Sequence, residues 1–127
     1  MRLLLDTNIL IWAVANSSAL PSAARKALTD PRSELYVSAA SVWEIAIKVS
    51  LGKLTFPVER MASVLEDTGC IVLPIGVDHA IGAATLPKHH SDPFDRMLIA
   101  QAQQEGLVLL TADSIIPRYD VPVYRDE

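Results

Sequence analysis

Four acids set the chemistry this chain could perform. Leu3-Leu4-Leu5 is an apolar run that stops at Asp6, and Leu107-Val108-Leu109-Leu110 is another that leads through Thr111 and Ala112 to Asp113. Short apolar runs of this kind read as fully buried strands of a parallel sheet, so each delivers one carboxylate to the sheet's rim. Asp95 falls at the start of a helix, and Glu44 in the first turns of a helix that follows a strand. In a parallel sheet all four positions belong to the carboxyl edge, where open α/β folds bind their ligands. Two carboxylates about 5 Å apart, at an effective dielectric of about 20, repel by about 3 kcal/mol. Four together therefore need protons or a cation. Hard oxygen donors without Cys or His partners point to Mg²⁺ or Mn²⁺. Such an ion polarises phosphoryl oxygens and activates water, which is the chemistry of phosphodiester hydrolysis.

Each acid also has a plainer reading. Asp6 can cap the first helix, and Asp113 can be an ordinary turn residue before Ser114. Asp92 followed by Pro93 is a common helix start, with the acid as N-cap and proline at the first helical position. Asp95 then occupies the third helical position, where an acid satisfies backbone donors and the helix dipole. It also lies in line with Leu98, Ile99 and Ala102. An ionised carboxylate on an apolar stripe is costly to bury unless paired, which tilts Asp95 towards function. Glu44 precedes Lys48 by four residues, the favoured order for a surface ion pair. Its spacing alone describes a solvated side chain; only the grouping of all four acids draws it into a site.

The elements that must position these residues alternate along the chain. Strand Leu3–Leu5 is followed by a helix over Asn8–Ala15, and Pro21 opens a second helix that runs through Leu28. Glu34–Ser38 is a second strand. Ala39–Leu51 is a helix with Val42, Ile45, Ala46 and Val49 as its apolar stripe, widened by Trp43 and Ile47, and it closes at Gly52. Pro57 begins a helix to Asp67, Cys70–Pro74 is a third strand, and Val77–Leu86 is a helix rich in small residues. The helix from Pro93 to Glu105 is capped by Gly106. The strand ending at Leu110 follows, then a helical turn around Ser114–Ile116 and a last edge strand near Val121–Tyr124. Strands alternating with helices predict an α/β fold, a three-layer sandwich with a mainly parallel central sheet flanked by helices.

Composition narrows the function classes. The 127 residues suit one domain with a real core, here read as residues 1–127. Half the residues are hydrophobic and 20% are charged, which excludes disorder. A mean hydropathy of +0.28 suggests apolar surface left for a second copy or a dedicated partner. The net charge of −4 means that any nucleic-acid substrate needs a local basic lip or a bound cation. Lys48, Lys53, Lys88 and Arg96 are candidates for that lip, because phosphate contacts carry most non-specific affinity. Cys70 is the sole cysteine, so no intramolecular disulfide forms, in keeping with a reducing cytoplasm. Asp6 and Asn8 interrupt the N-terminal apolar stretch, which argues against a signal peptide, and no run is long enough to span a membrane.

The adjacent His89 and His90, in the polar loop Pro87–Ser91, read as solvated rather than as ligands. Trp12, Trp43 and Phe94 read as core or dimer-interface residues rather than as base-stacking platforms.

The sequence closely resembles the PIN-domain ribonucleases, in particular the VapC-like toxins of type II toxin–antitoxin modules. The matching stretches are Leu3-Leu4-Leu5-Asp6-Thr7-Asn8, Ser41-Val42-Trp43-Glu44-Ile45-Ala46-Ile47-Lys48 and Leu110-Thr111-Ala112-Asp113. The most specific runs from His90-Ser91-Asp92-Pro93-Phe94-Asp95-Arg96 to Ala102. Order and spacing agree over essentially the whole chain. The resemblance implies a PIN-like fold and a Mg²⁺- or Mn²⁺-dependent endoribonuclease whose acidic quartet falls on Asp6, Glu44, Asp95 and Asp113. It makes Asn8 and Thr111 groups that orient ligands or the attacking water, and leaves Asp92 as an auxiliary acid or only a helix cap. It implies RNA as substrate, a homodimer, and a cognate antitoxin whose C-terminal segment blocks the site.

Two rivals stand beside it. One is a degenerate, non-catalytic PIN fold that only binds a partner. The other is a receiver-type phosphoacceptor signalling domain, which needs two adjacent acids after the first strand and a late Lys. Here Thr7-Asn8 follows Asp6, and no Lys lies beyond Lys88.

Overall fold

Leu3, Leu4 and Leu5 are buried on both faces of a parallel sheet. The computed structural model describes residues 1–124. Strands β1 (Arg2–Leu5), β2 (Glu34–Ser38), β3 (Cys70–Leu73) and β4 (Val108–Leu110) lie in the order β3-β2-β1-β4, and every pairing is parallel. Leu3 and Leu5 point into one core layer and Leu4 into the other, as the two-residue period of a strand requires. The apolar runs are continuous because both faces are covered.

Helices α1 (Thr7–Val14), α2 (Ser22–Thr29), α3 (Ala39–Ser50) and α4 (Met61–Asp67) contribute Ile9, Leu10, Ala24, Ala27, Ile45 and Leu65 to the first layer. Helix α6 (Pro93–Glu105) fills the second with Leu98, Ile99 and Ala102, and α5 (Val77–Thr85) packs on α6. Gly106 stops α6 in the left-handed conformation at φ 66°, a geometry that favours glycine. The result is a three-layer α/β sandwich.

The chain leaves β1 towards β2 on one side, while β4 joins β1 from the other. The switch in direction therefore falls between β1 and β4, the crevice where such sheets bind ligands. Asp6 and Thr111 directly follow those two strands.

Several local expectations change. The stretch from Pro57 to Asp67 is a 3₁₀ turn (Val58–Arg60) followed by α4, because Arg60 leaves helical geometry at φ −112°, ψ 24°. The turn expected around Ser114–Ile116 lies at Ile116–Arg118. The last edge strand shrinks to one bridge, Leu109 to Val123, flanked by hydrogen bonds from Leu109 N–H to Pro122 O and from Tyr124 N–H to Leu109 O. Pro122 has no N–H to extend the ladder.

Helix α3 is rotated relative to its expected stripe. Its buried residues are Ala40, Ser41, Glu44 and Ile45, whereas Trp43 is 63% exposed and Glu44 only 7%. Trp43 is thus a surface residue, its ring edge-on to Phe94 with centroids 5.5 Å apart. Ser38 caps α3 by accepting from Ala40 N–H, and the buried Thr7 hydroxyl donates to Ser41 Oγ at 2.8 Å. These two contacts turn the 40/41/44/45 face of α3 inward.

Candidate active site

Asp6 leaves β1 at the N-cap position of α1, but its side chain makes no capping bond to that helix. Its Oδ2 accepts the Thr111 hydroxyl at 2.6 Å, which joins the ends of β1 and β4. Thr111 Oγ1 also accepts from Asp113 N–H at 3.0 Å, so one hydroxyl ties two of the acids together. Burial pushes the Asp6 carboxyl above its ordinary range, and Asp113 adds to this. The Thr111 hydroxyl and the backbone N–H groups of Asn8 and Thr7 oppose it. Asn8 itself is exposed at the start of α1.

Asp92 caps α6 through Oδ1, which accepts from Phe94 N–H at 2.8 Å and Asp95 N–H at 3.4 Å, with Pro93 next in line. The capping geometry read from Asp-Pro is therefore present. Asp95 is pushed up to about 7, first by burial and then by Asp6, Asp92 and Asp113, while His90 pulls it back. Three other acids thus act on this one, so Asp6, Asp92, Asp95 and Asp113 lie near one another.

Asp113 behaves differently. Burial raises its carboxyl, but the amides of Ile115 and Ile116 and the His90 ring outweigh this and hold it below the usual range. Its Oδ1 accepts from Ile115 N–H at 2.6 Å and Ile116 N–H at 3.3 Å, and so caps the Ile116–Arg118 turn.

Glu44 is buried, and spacing alone would have left it in solvent. Its Oε2 accepts from Lys48 Nζ at 2.8 Å, and Oε1 has no hydrogen-bond partner among the described residues. Lys48 also feels Asp92 and Asp95, and together with Glu44 they keep its ammonium charged. The ion pair expected from the four-residue spacing exists, but its Glu44 end is buried, while the Lys48 side chain is 42% exposed.

His90 is the residue that sequence reasoning undervalued. It is not solvated: Nε2 lies 3.0 Å from Asp95 Oδ2 and 3.1 Å from Asp113 Oδ2. The loop that carries it is held from two sides. Tyr119 Oη accepts the N–H groups of His89 and His90 and donates to Pro87 O at 2.7 Å. Arg96 donates to Pro87 O, Leu86 O and His90 O. The available signal was position: a loop that runs into a helix starting at the carboxyl edge must pass the site, whatever its polarity. Arg96 spends its guanidinium on these carbonyls, whereas Lys53 and Lys88 are exposed.

The donor set fits a hard divalent cation. Glu44 Oε1 is a buried acceptor with no donor among the described residues, and Asp95 is crowded by other acids. Each costs free energy that a cation coordinated by these oxygens would offset. His90, Asp95 and Asp113 offer one ligand atom each within 4.8 Å of one another.

A four-stranded parallel sheet with acids gathered at its switch point defines the class, and the chain belongs to the PIN domain family, which it matches over residues 3–122. Among curated relatives it is similar to Ribonuclease VapC16 of Mycobacterium tuberculosis, with 47% identity over 58 residues. That match covers 44% of this chain and 40% of the relative. Among solved structures it resembles VapBC2 from Rickettsia felis bound to a promoter DNA fragment (TM-score 0.70, 16% identity, 97% of this chain and 96% of that one). It also resembles DNA-bound VapBC from Salmonella typhimurium (TM-score 0.68, 22% identity, 99% and 98%). A toxin–antitoxin complex from Klebsiella pneumoniae aligns with TM-score 0.61 and 23% identity over 87% and 86%. At these identities the structural likeness establishes the fold.

Proposed function

We propose that this chain, residues 1–127 as one PIN-like domain, is a Mg²⁺- or Mn²⁺-dependent endoribonuclease and the toxin of a type II toxin–antitoxin pair. The observation that carries the reading is the buried Glu44 carboxylate, with Oε1 unpartnered among the described residues, whose ion-pair partner Lys48 also feels Asp92 and Asp95. A surface ion pair alone gives no reason to bury Glu44, because exposed pairs contribute about 0–1 kcal/mol. Its relatives' names and the complexes it resembles support the toxin reading.

Asp6, Glu44, Asp95 and Asp113 would hold the ion, which when bound polarises phosphoryl oxygens and activates water. Thr111 fixes the orientation of Asp6, and Asn8 flanks it. Asp92 sets the start of α6 and so the position of Asp95. Lys48, Lys53 and Lys88 would meet phosphates of the RNA. No helix among the described residues is long and apolar enough to cross a membrane.

A second copy is proposed as partner at the β3 edge. There Ile71, Val72, Ile75, Val77 and Ile81 are exposed on β3, the following linker and α5. The other partner is a cognate antitoxin. Inducible expression tests the reading: the wild-type chain should arrest growth, and Asp6→Asn or Asp95→Asn should not. Equal behaviour of wild type and mutants would favour a non-catalytic binding module.

A further inference from the structure

The position of His90 bears on how many ions the site holds. Its Nδ1 accepts a hydrogen bond from Asp92 N–H at 3.2 Å. A ring nitrogen that accepts carries no proton, so the proton sits on Nε2, the nitrogen facing Asp95 Oδ2 and Asp113 Oδ2 at 3.0 and 3.1 Å. In this tautomer Nε2 is a donor. It could ligate a metal only by moving its proton to Nδ1, against the Asp92 N–H. The ring cannot easily turn away, because Tyr119 Oη holds the amides of His89 and His90 and Arg96 holds the carbonyls of Pro87 and His90.

Asp113 is largely occupied by the same arrangement. Its Oδ1 takes the amides of Ile115 and Ile116, and its Oδ2 takes the imidazole. Glu44 by contrast accepts only from Lys48, with none at Oε1 among the described residues, and Asp6 takes the Thr111 hydroxyl besides the backbone N–H groups of Thr7 and Asn8. Most of the acceptor capacity free for a cation therefore lies on Asp6 and Glu44, with one lone pair left on Asp113 Oδ2.

We propose that His90, as an N–H donor fixed between Asp95 and Asp113, takes the place of a second divalent ion, so that each chain binds one ion and not two. The proposal rests on the metal-dependent reading above. It makes His90 a positioning residue: its N–H holds the Asp95 and Asp113 carboxylates together. An imidazole N–H is a weaker counterweight than a divalent ion, but it needs no free metal and keeps the two acids in register before an ion arrives.

Titration of the purified chain with Mn²⁺, followed by the electron paramagnetic resonance signal of free Mn²⁺, tests it directly. One Mn²⁺ per chain is expected for the wild type. His90→Gln, whose amide can donate from about the same place, should keep one. His90→Ala should take up a second Mn²⁺, with the altered spectrum of two neighbouring, magnetically coupled ions. Two ions in the wild type, or one in His90→Ala, would overturn the proposal. So would nitrogen coupling to bound Mn²⁺ that is present in the wild type and lost in His90→Gln, because that makes His90 a ligand. In those cases loss of Mn²⁺ in Asp95→Asn would leave the metal-dependent reading standing. A wild-type chain that binds no Mn²⁺ would overturn both.

Discussion

The Thr111 hydroxyl donates to Asp6 Oδ2 at 2.6 Å, joining residues 105 positions apart in the chain. Asp6 is buried, so the bond both satisfies a desolvated acceptor and fixes which way it points. Thr111→Val keeps the shape and removes the donor. Leaving a buried acceptor unsatisfied costs about 1–3 kcal/mol. The urea midpoint should fall accordingly, with an unchanged slope, and Mn²⁺ affinity should weaken with it. A variant as stable as wild type would mean that water replaces the hydroxyl.

Asp95 gives the metal-free protein a pH dependence of defined sign. Its carboxyl is raised from 3.8 to about 7 in the fold, so between these values the folded state binds more protons than the unfolded one. Stability from this group is therefore greatest at acid pH and lost as pH rises through about 7. In chelator, the wild-type melting temperature should decline more steeply from pH 5 to pH 8 than that of Asp95→Asn. Adding Mn²⁺ should raise the wild-type melting temperature more at pH 8 than at pH 5. Parallel curves for the two proteins in chelator would contradict the burial of Asp95 among like charges.

Arg96 holds the loop before α6 through several carbonyls, a role that needs a planar fork of donors. Arg96→Lys keeps the charge and loses the fork, and should destabilise the chain by about 1–3 kcal/mol. If the guanidinium instead contacts RNA phosphate, replacing it with alanine lowers the slope of log affinity against log salt by about 1. The hydrogen bonds predict that this slope stays unchanged for Arg96 and falls for Lys53 or Lys88.

Glu44 and Lys48 can be separated by experiment. Lys48→Ala leaves the buried Glu44 carboxylate without its partner, which destabilises the metal-free chain. A divalent ion should restore most of that loss. Glu44→Gln should instead abolish the gain in melting temperature on adding Mn²⁺. Equal, small effects of the two substitutions would return Glu44 to the status of a surface ion-pair partner.

The strands were legible because burial on both faces leaves unbroken apolar runs, and strand ends at Asp6 and near Asp113 fixed two of the acids. Asp92 was legible as a cap because Asp-Pro has one dominant local use, and Asp95 because it interrupts an apolar stripe. Glu44 was not legible alone. The rotation of α3 is set by Thr7–Ser41 packing across 34 residues, and hydrophobic spacing placed Trp43 inside and Glu44 outside, the reverse of the structure. His90 was missed for a related reason: a polar loop looks solvated until Tyr119 and Arg96, from later elements, fold it over the acids. The short final strand failed at Pro122, where one missing donor limits the pairing to a single bridge.

The most direct measurement is cleavage of RNA by the purified chain, read as product after a fixed time with Mg²⁺, with Mn²⁺ and in excess chelator. The account predicts cleavage with either ion, none in chelator, and none by Asp6→Asn or Asp95→Asn at unchanged secondary structure. Full cleavage in chelator, or by Asp95→Asn, would contradict it.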